Sequence, residues 1–135
     1  MFLDQLTQEE KITYLRLISN AAKVNGDIAI EESKYIDEYR REMGIEPLGV
    51  LDSSIDLTKE IEKVFSKSTK EHKRIVLFEA IAFMFVDGSY DKEEEQYIIK
   101  FSDKIGISKD EVYEIEELVK KYADCVTEIA GELFG

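Results

Sequence analysis

The amino-acid sequence predicts a single all-α domain over residues 1–135. Apolar residues recur every three or four positions in several segments, which places them on one face of a helix. Most of these segments are preceded by Ser, Thr or Asp with Glu three positions later, the spacing of a helix N-terminal capping box. Sustained alternation of apolar and polar residues is absent, and no linker rich in Gly, Ser or Pro divides the chain. A sheet or a second domain is therefore not predicted.

The helix boundaries follow from these capping patterns and from glycine turns. Glycine and asparagine adopt the left-handed conformation that ends many helices, so Asn25-Gly26, Gly44, Gly88 and Gly106 are predicted ends. The predicted capping pairs are Thr7 with Glu10, Ser68 with Glu71, Asp91 with Glu94, and Ser108 with Glu111. Helices are predicted at about residues 8–24, 30–43, 57–65, 69–86, 92–105 and 109–133.

The segment at 75–86 is the predicted central helix. Eleven of its twelve residues are apolar, Glu79 being the exception, so neighbouring helices must cover nearly all of its surface. At about 1.5 Å per residue it reaches about 18 Å, well short of the roughly 30 Å of a bilayer core. We therefore expect a buried core helix, with Phe83, Met84 and Phe85 in the core, and not a membrane span.

The charge and the cysteine content of the chain indicate which classes of partner it can bind and in which cellular compartment it is expected. The chain has 30 acidic and 18 basic residues and a net charge of −12, which repels nucleic acids and anionic lipid headgroups. Cys125 is the only cysteine, so it forms no internal disulfide, and we expect it to be a small buried apolar residue. The first ten residues lack the basic and apolar regions of a secretory signal. These features predict a cytoplasmic protein that does not bind nucleic acid.

An internal repeat is predicted, because residues 24–45 align without a gap beneath residues 86–107. Eight of the 22 aligned pairs are identical, including both glycines of each copy and two consecutive glutamates. A duplicated helix, acidic turn and helix would pack its two copies around one core with pseudo-twofold symmetry. The copies extend over about 8–45 and 69–107, and the last helix follows them.

The acidic turns of the repeat resemble only the second half of an EF-hand calcium loop. The glycine turn is present, but apolar or basic residues replace the oxygen ligands that an EF-hand requires earlier in the loop. The duplicated pattern is similar instead to the TerB-like, tellurite-resistance family. In that family an apolar helix enters an Asp-Gly turn with a glutamate six positions after the glycine, as in VNGDIAIEE (24–32) and VDGSYDKEE (86–94).

This resemblance implies a non-enzymatic multi-helix bundle that serves in chemical-stress responses and binds divalent cations through clustered acidic residues. Carried onto this chain, the ligand positions are Asp87, Asp91 and Glu94 in the second copy, and Asp27 and Glu32 in the first. Calcium or magnesium suits such oxygen ligands. The family also implies protein partners, some of them membrane-associated. In the first copy, Asn and Ala replace two of the acids, so the second turn is the stronger candidate.

Other interpretations of the same acidic residues remain open. Asp91 could only cap its helix, with the following glutamates stabilised near the helix N-terminus. The acidic surface could bind a basic protein partner without metal. A hydrolase using a metal held by acids is disfavoured, since His72, an ordinary surface or boundary residue, has no second histidine to join it. The oligomeric state is open, although an exposed aromatic among Phe83, Phe85 and Tyr90 would favour a dimer.

Overall fold

The computed structural model describes residues 2–22, 41, 58–85 and 90–135. These ranges contain helices and no strand, which confirms the all-α prediction for them. Within them a short 3₁₀ helix precedes five α-helices, Arg41 is also helical, and none of the described helices is long and apolar enough to cross a membrane. The helices are the 3₁₀ helix Leu3–Gln5, α1 Gln8–Ala22, α2 Thr58–Ser66, α3 Lys70–Phe85, α4 Lys92–Lys104 and α5 Lys109–Phe134.

Helix α3 is the centre of the described bundle, as its apolar sequence predicts. It packs against α1, α4, α5 and the 3₁₀ helix. Phe83 and Met84 are buried in the core, whereas Phe85 is half-buried. Glu79, the one charged residue of the apolar segment, is also buried, and its Oε1 accepts a hydrogen bond of 2.8 Å from the Phe2 backbone N–H. The charged residue therefore ties the N-terminal segment to the central helix.

The remaining helices close the core around α3. Helix α2 buries Ile61 and Phe65 against α1 and α4, and the Phe65 and Phe101 rings meet edge to face with centroids 6.0 Å apart. Helix α5 contributes buried residues only from its first half. The buried α5 residues are Val112, Ile115, Glu116 and Val119.

Three of the four predicted capping pairs are confirmed. Thr7 and Glu10 form a complete box, in which the Thr7 N–H donates to Glu10 Oε1 at 2.8 Å and the Glu10 N–H donates to Thr7 Oγ1 at 3.1 Å. The Ser108 hydroxyl accepts from the Glu111 N–H at 3.2 Å. The third confirmed pair, Asp91 with Glu94, belongs to the acidic region described below.

The predicted cap of the central helix is wrong by one residue. Thr69, and not Ser68, caps α3, since its Oγ1 accepts the His72 backbone N–H at 3.1 Å. The Ser68 hydroxyl donates instead to the Glu10 carboxylate. Ser68 therefore bonds to a residue 58 positions away in the sequence and does not form the local cap that the spacing predicted.

The predicted end of α4 at Gly106 is confirmed. Gly106 has φ +85°, in the left-handed region, and its N–H donates to the Asp103 carbonyl oxygen at 3.2 Å. The Ile107 N–H donates to the Ser102 carbonyl oxygen at 2.8 Å. These two bonds form a Schellman motif, in which the terminal carbonyls of the helix are satisfied as the chain turns into α5.

The C-terminal half of α5 extends past the buried core. From Lys120 to the end of the chain, no residue is buried. The expectation that Cys125 is buried is therefore wrong, because Cys125 is exposed on this part of the helix. Its apolar neighbours continue the helical periodicity, but the described helices do not extend far enough to cover them.

Much of the predicted repeat lies outside the described residues. Only Arg41 of the first copy at 24–45 is described, and residues 86–89 of the second copy are not. Apart from Arg41, which is helical, the helix predicted at 30–43 falls in the undescribed ranges, as do the glycine turns at 25–26, 44 and 88. The repeat and its pseudo-twofold packing therefore remain predictions.

Candidate cation-binding site

Two of the five acidic residues predicted as metal ligands are described. Asp91 and Glu94 lie at the start of α4, whereas Asp87, Asp27 and Glu32 are outside the described residues. The described part of the candidate site therefore consists of the start of α4 and the face of α5 that packs against it.

Asp91 is the N-cap of α4. Its backbone is extended, and its Oδ1 accepts a hydrogen bond of 2.9 Å from the Glu94 backbone N–H. Its side chain is exposed. A carboxylate in this position both satisfies a free backbone donor and stabilises the positive end of the helix. The capping interpretation of Asp91 is thus confirmed, and this residue has a structural role whether or not a cation binds nearby.

Glu94 has a different environment from Asp91, although the two are only three residues apart. Its side chain is buried, in the first turn of α4. Its negative charge is also one of the charges that raise the pKa of Tyr90. Glu94 therefore belongs to the acidic interior of this region, and Asp91 to its surface.

Glu116, on α5, is the residue in this region that the sequence analysis missed. Its side chain is 7% exposed, and its Oε2 atom has no hydrogen-bond partner within the described residues. Burial raises the pKa of Glu116 to about 7, and the neighbouring Glu95 carboxylate acts in the same direction. Tyr90 and Lys120 oppose the shift only in part. Close to neutral pH, this carboxyl therefore exists in both the protonated and the charged form.

Tyr90 supplies a polar group next to Glu116. Its ring packs on Phe85 with centroids 5.3 Å apart and an angle of 32° between the ring planes. Burial, followed by the side-chain interaction with Glu116 and then the charges of Glu116, Glu95 and Glu94, raises the pKa of the Tyr90 phenol, so the phenol is neutral at physiological pH. Tyr90 and Glu116 influence each other's pKa, yet no described residue meets the Tyr90 hydroxyl in hydrogen-bonding geometry.

Tyr90, Glu94, Glu95 and Glu116 together form what we call the acidic junction. The negative charges of this cluster repel one another, and the raised pKa of Glu116 reflects that repulsion together with burial. Carboxylate oxygens and a phenol oxygen are hard ligands, suited to calcium or magnesium and unsuited to soft metals. Among the residues that the structure describes, no group of three or more His, Cys, Asp or Glu side chains is placed so that it could hold a metal ion.

The sequence contained a signal for Glu116. Val112, Ile115 and Val119 are buried on one face of α5, and Glu116 occupies the position four residues after Val112 on that face. A glutamate at a core-facing helical position requires a partner or a proton. The periodicity of α5 indicates such a position, although it does not indicate which groups on α4 lie opposite.

A second buried polar cluster lies at the other end of α3. The Glu10 carboxylate accepts from the Thr7 N–H and the Ser68 hydroxyl, and its Oε1 lies 2.8 Å from His72 Nδ1. Burial on its own would raise the pKa of Glu10, but the bonds to Ser68, Thr7 and His72 together hold it below its usual value. This cluster joins α1 to the start of α3, and all of its oxygens have partners. We therefore assign it a structural role.

Comparisons with known proteins do not identify a relative of this chain. No protein-family model, curated protein or solved structure matches it.

Proposed function

We propose that the chain is a non-enzymatic, cytoplasmic TerB-like domain that binds a divalent cation, calcium or magnesium, at the acidic junction. The resemblance of its two acidic turns to that family supports a role in chemical-stress responses. The ligands we propose are Glu95 and Glu116, with Glu94 contributing negative charge. Asp87, which the sequence places in the adjoining turn, is a further candidate ligand.

The observation that carries the proposal is the buried Oε2 atom of Glu116. A buried carboxylate oxygen without a hydrogen bond costs about 1–3 kcal/mol, or more when charged. Glu95 increases this cost, because it brings a second carboxylate to the same place. A bound divalent cation would coordinate this oxygen, which has no hydrogen-bond partner among the described residues, and would neutralise the repulsion at once.

This arrangement couples cation binding to proton release. In the absence of a cation, the raised pKa of Glu116 keeps the carboxyl partly protonated at pH 7. A cation binds to the carboxylate form, so binding must displace the proton. Below about pH 7 the apparent affinity should therefore fall by up to tenfold for each pH unit.

Thermal unfolding of metal-stripped protein tests the proposal. Calcium or magnesium at a hundred times the dissociation constant should stabilise the folded state by about 2.7 kcal/mol. Glu116→Gln should abolish the rise in melting temperature, because an amide is a weaker ligand and carries no charge. Glu114→Gln is the matched control, since it removes one exposed carboxylate from the same helix and should leave the rise intact.

Asp87→Asn and Asp91→Asn separate the remaining roles. Loss of the metal response in Asp87→Asn would place that residue among the ligands. Asp91→Asn should keep the response, because asparagine is also a good N-cap. If metal leaves the wild-type melting temperature unchanged, or if Glu114→Gln and Glu116→Gln respond equally, the acidic junction is not a cation site.

The alternative function is an acidic adaptor that binds a basic protein without metal. It is favoured by the exposed carboxylates of α4 and α5, which make no bond to the acidic junction. These exposed acids include Glu93, Glu114, Asp124, Glu128 and Glu132. The adaptor predicts a complex that forms in the presence of chelator and weakens as salt is raised. A complex that requires metal would count against it.

A further inference from the structure

An apolar stripe runs along the exposed side of α5 and continues into its C-terminal half. The stripe consists of Leu118, Tyr122, Val126, Ile129 and Leu133, which follow one another at intervals of four, four, three and four residues. At about 100° per residue, they fall within about 80° of the helix circumference. Each of them is between 41% and 69% exposed. Single exposed apolar residues are common, but a continuous row of five marks an interaction surface.

An apolar groove lies at the N-terminal end of the stripe. It has a volume of about 620 Å³. Its apolar lining residues are Phe2, Ile75, Phe78, Leu118 and Tyr122, and Gln5, Glu71 and Arg74 complete the lining. The Phe78 and Tyr122 rings meet edge to face with centroids 6.1 Å apart, which fixes one wall. At the opposite end of the stripe, Leu133 and Phe134 are 69% and 87% exposed, the highest values among the large apolar residues that the structure describes.

The groove and the exposed pair are separated by about 16 residues of helix, or roughly 24 Å. Each molecule therefore has an apolar groove at one end of the stripe and two exposed apolar side chains, Leu133 and Phe134, at the other. A twofold axis through the middle of the stripe, close to residues 125 and 126, exchanges the two ends. Leu133 and Phe134 of one copy then lie opposite the groove of the other copy, at both ends of the interface.

Charges beside the stripe have the same twofold complementarity. Lys121, Glu128 and Glu132 lie along one edge, within about 40° of one another around the helix. In an antiparallel pair about the same axis, Lys121 of one copy lies between Glu128 and Glu132 of the other. A parallel pair would bring together two C-terminal ends that carry acids from residue 124 onward and no Lys or Arg.

We propose that a second copy of this chain covers the stripe, and that the two α5 helices pack antiparallel in a symmetric dimer. The interface is isologous, so each contact occurs twice. Phe83, Phe85 and Tyr90, the aromatics that the sequence suggested for a dimer, do not take part, because Phe83 is buried and the other two are half-buried. The proposal does not depend on cation binding at the acidic junction.

Sedimentation velocity of the full chain tests the dimer directly. Between about 1 µM and about 1 mM, the wild-type mass should rise from that of one 15.6 kDa chain to twice that mass. Ile129→Asp should stay monomeric over this range, since it places a charge in the stripe. Ile129 lies beyond the buried core, so the variant should keep the helical content and melting temperature of the wild-type monomer.

Tyr113→Asp is the matched control. Tyr113 and Tyr122 are equally exposed, at 40% and 41%, but Tyr113 lies on the opposite side of α5 from the stripe. Tyr113→Asp should therefore dimerise as the wild type does. A wild-type chain that is monomeric at about 1 mM, or an Ile129→Asp variant that associates like the wild type, would overturn the proposal.

Two further measurements test the orientation. Lys121→Glu should raise the dissociation constant roughly tenfold at low salt, and adding Glu128→Lys should recover most of that loss. Cys125, exposed and close to the proposed axis, should form a disulfide with its counterpart under mild oxidation, and much less so in Ile129→Asp. An unchanged dissociation constant in Lys121→Glu, or wild-type dimers that fail to cross-link, would refute the antiparallel arrangement.

Discussion

Replacing Glu10 by glutamine should destabilise the fold more than any other removal of a single negative charge from α1. Glu10 is 5% exposed, and its two carboxylate oxygens contact Thr7, Ser68 and His72. These contacts connect the start of α1 to the segment that opens α3. Glutamine preserves the length of the side chain and one carbonyl oxygen, so the substitution removes charge while leaving most of the packing.

The expected loss follows from the difference between charged and neutral hydrogen bonds. A bond to a charged group contributes about 1.5–3 kcal/mol, and a neutral one about 0.5–1.5 kcal/mol. Three contacts lose their charge assistance, although the half-exposed Ser68 and His72 side chains regain some hydration. We expect a loss of about 2 kcal/mol in the free energy of unfolding, or roughly 6–10 °C in melting temperature for a chain of this size.

Urea unfolding followed by circular dichroism measures this loss, with Glu9→Gln as the matched control. Glu9 is exposed on the same helical turn, so its substitution should change the free energy of unfolding by less than about 0.5 kcal/mol. The lowered pKa of Glu10 adds a pH signature. Its stabilisation is present above the ordinary glutamate pKa of 4.5 and is lost as the pH falls through the lower folded-state value. Equal losses in the two variants, or a difference between wild type and Glu10→Gln that does not shrink below about pH 4, would refute this reasoning.

Three other substitutions test separate parts of the fold. Asp91→Ala should lower the free energy of unfolding by about 1 kcal/mol through loss of the α4 cap, and a loss indistinguishable from zero in urea would contradict that role. Gly106→Ala should lower the free energy of unfolding by about 1–2 kcal/mol in the same assay, because its φ of +85° strains any residue with a Cβ. A clash would not contribute, since the nearest atom to an added Cβ, Lys73 Nζ, is 4.0 Å away. An unchanged stability would show that the turn relaxes. Phe65→Ala, which removes a fully buried ring, should cost about 3–5 kcal/mol and broaden or abolish cooperative thermal unfolding, and a loss below about 1 kcal/mol would be inconsistent with its packing.

Features set by neighbouring residues could be predicted from the sequence. The Thr7, Asp91 and Ser108 caps each depend on a backbone N–H three residues away, and Gly106 ends α4 through bonds within the same turn. The buried character of α3 also follows directly from its composition. In all of these cases the physical cause lies within a few residues, so the pattern is sufficient to predict the structure.

Features set by distant residues could not be predicted in the same way. Spacing alone makes Ser68 as good a cap as Thr69, and only the position of Glu10 decides between them. The helical periodicity places Cys125 beside the apolar side of α5. It does not show where the helices that cover α5 end, so the exposure of Cys125 could not be predicted. Likewise, the periodicity of α5 predicts that Glu116 lies on its core-facing side. The proximity of Glu116 to Glu95 depends on how α4 and α5 pack and could not be predicted.

Glu116→Gln provides the sharpest test of the acidic junction in the absence of metal. Because the pKa of Glu116 is raised to about 7 in the folded state and is close to 4.5 when the chain is unfolded, the folded state binds more protons between these pH values. Wild-type stability should therefore fall as the pH rises from about 5 to about 8, by about 1–2 kcal/mol after allowing for solvent screening at this partly buried site. In Glu116→Gln this fall in stability should disappear, so the variant should be more stable than the wild type at pH 8 in the presence of chelator. Glu114→Gln should follow the wild-type profile. Parallel profiles for wild type and Glu116→Gln would mean that Glu116 is charged and well solvated, and the acidic junction would then have no unpaired carboxylate for a cation to satisfy.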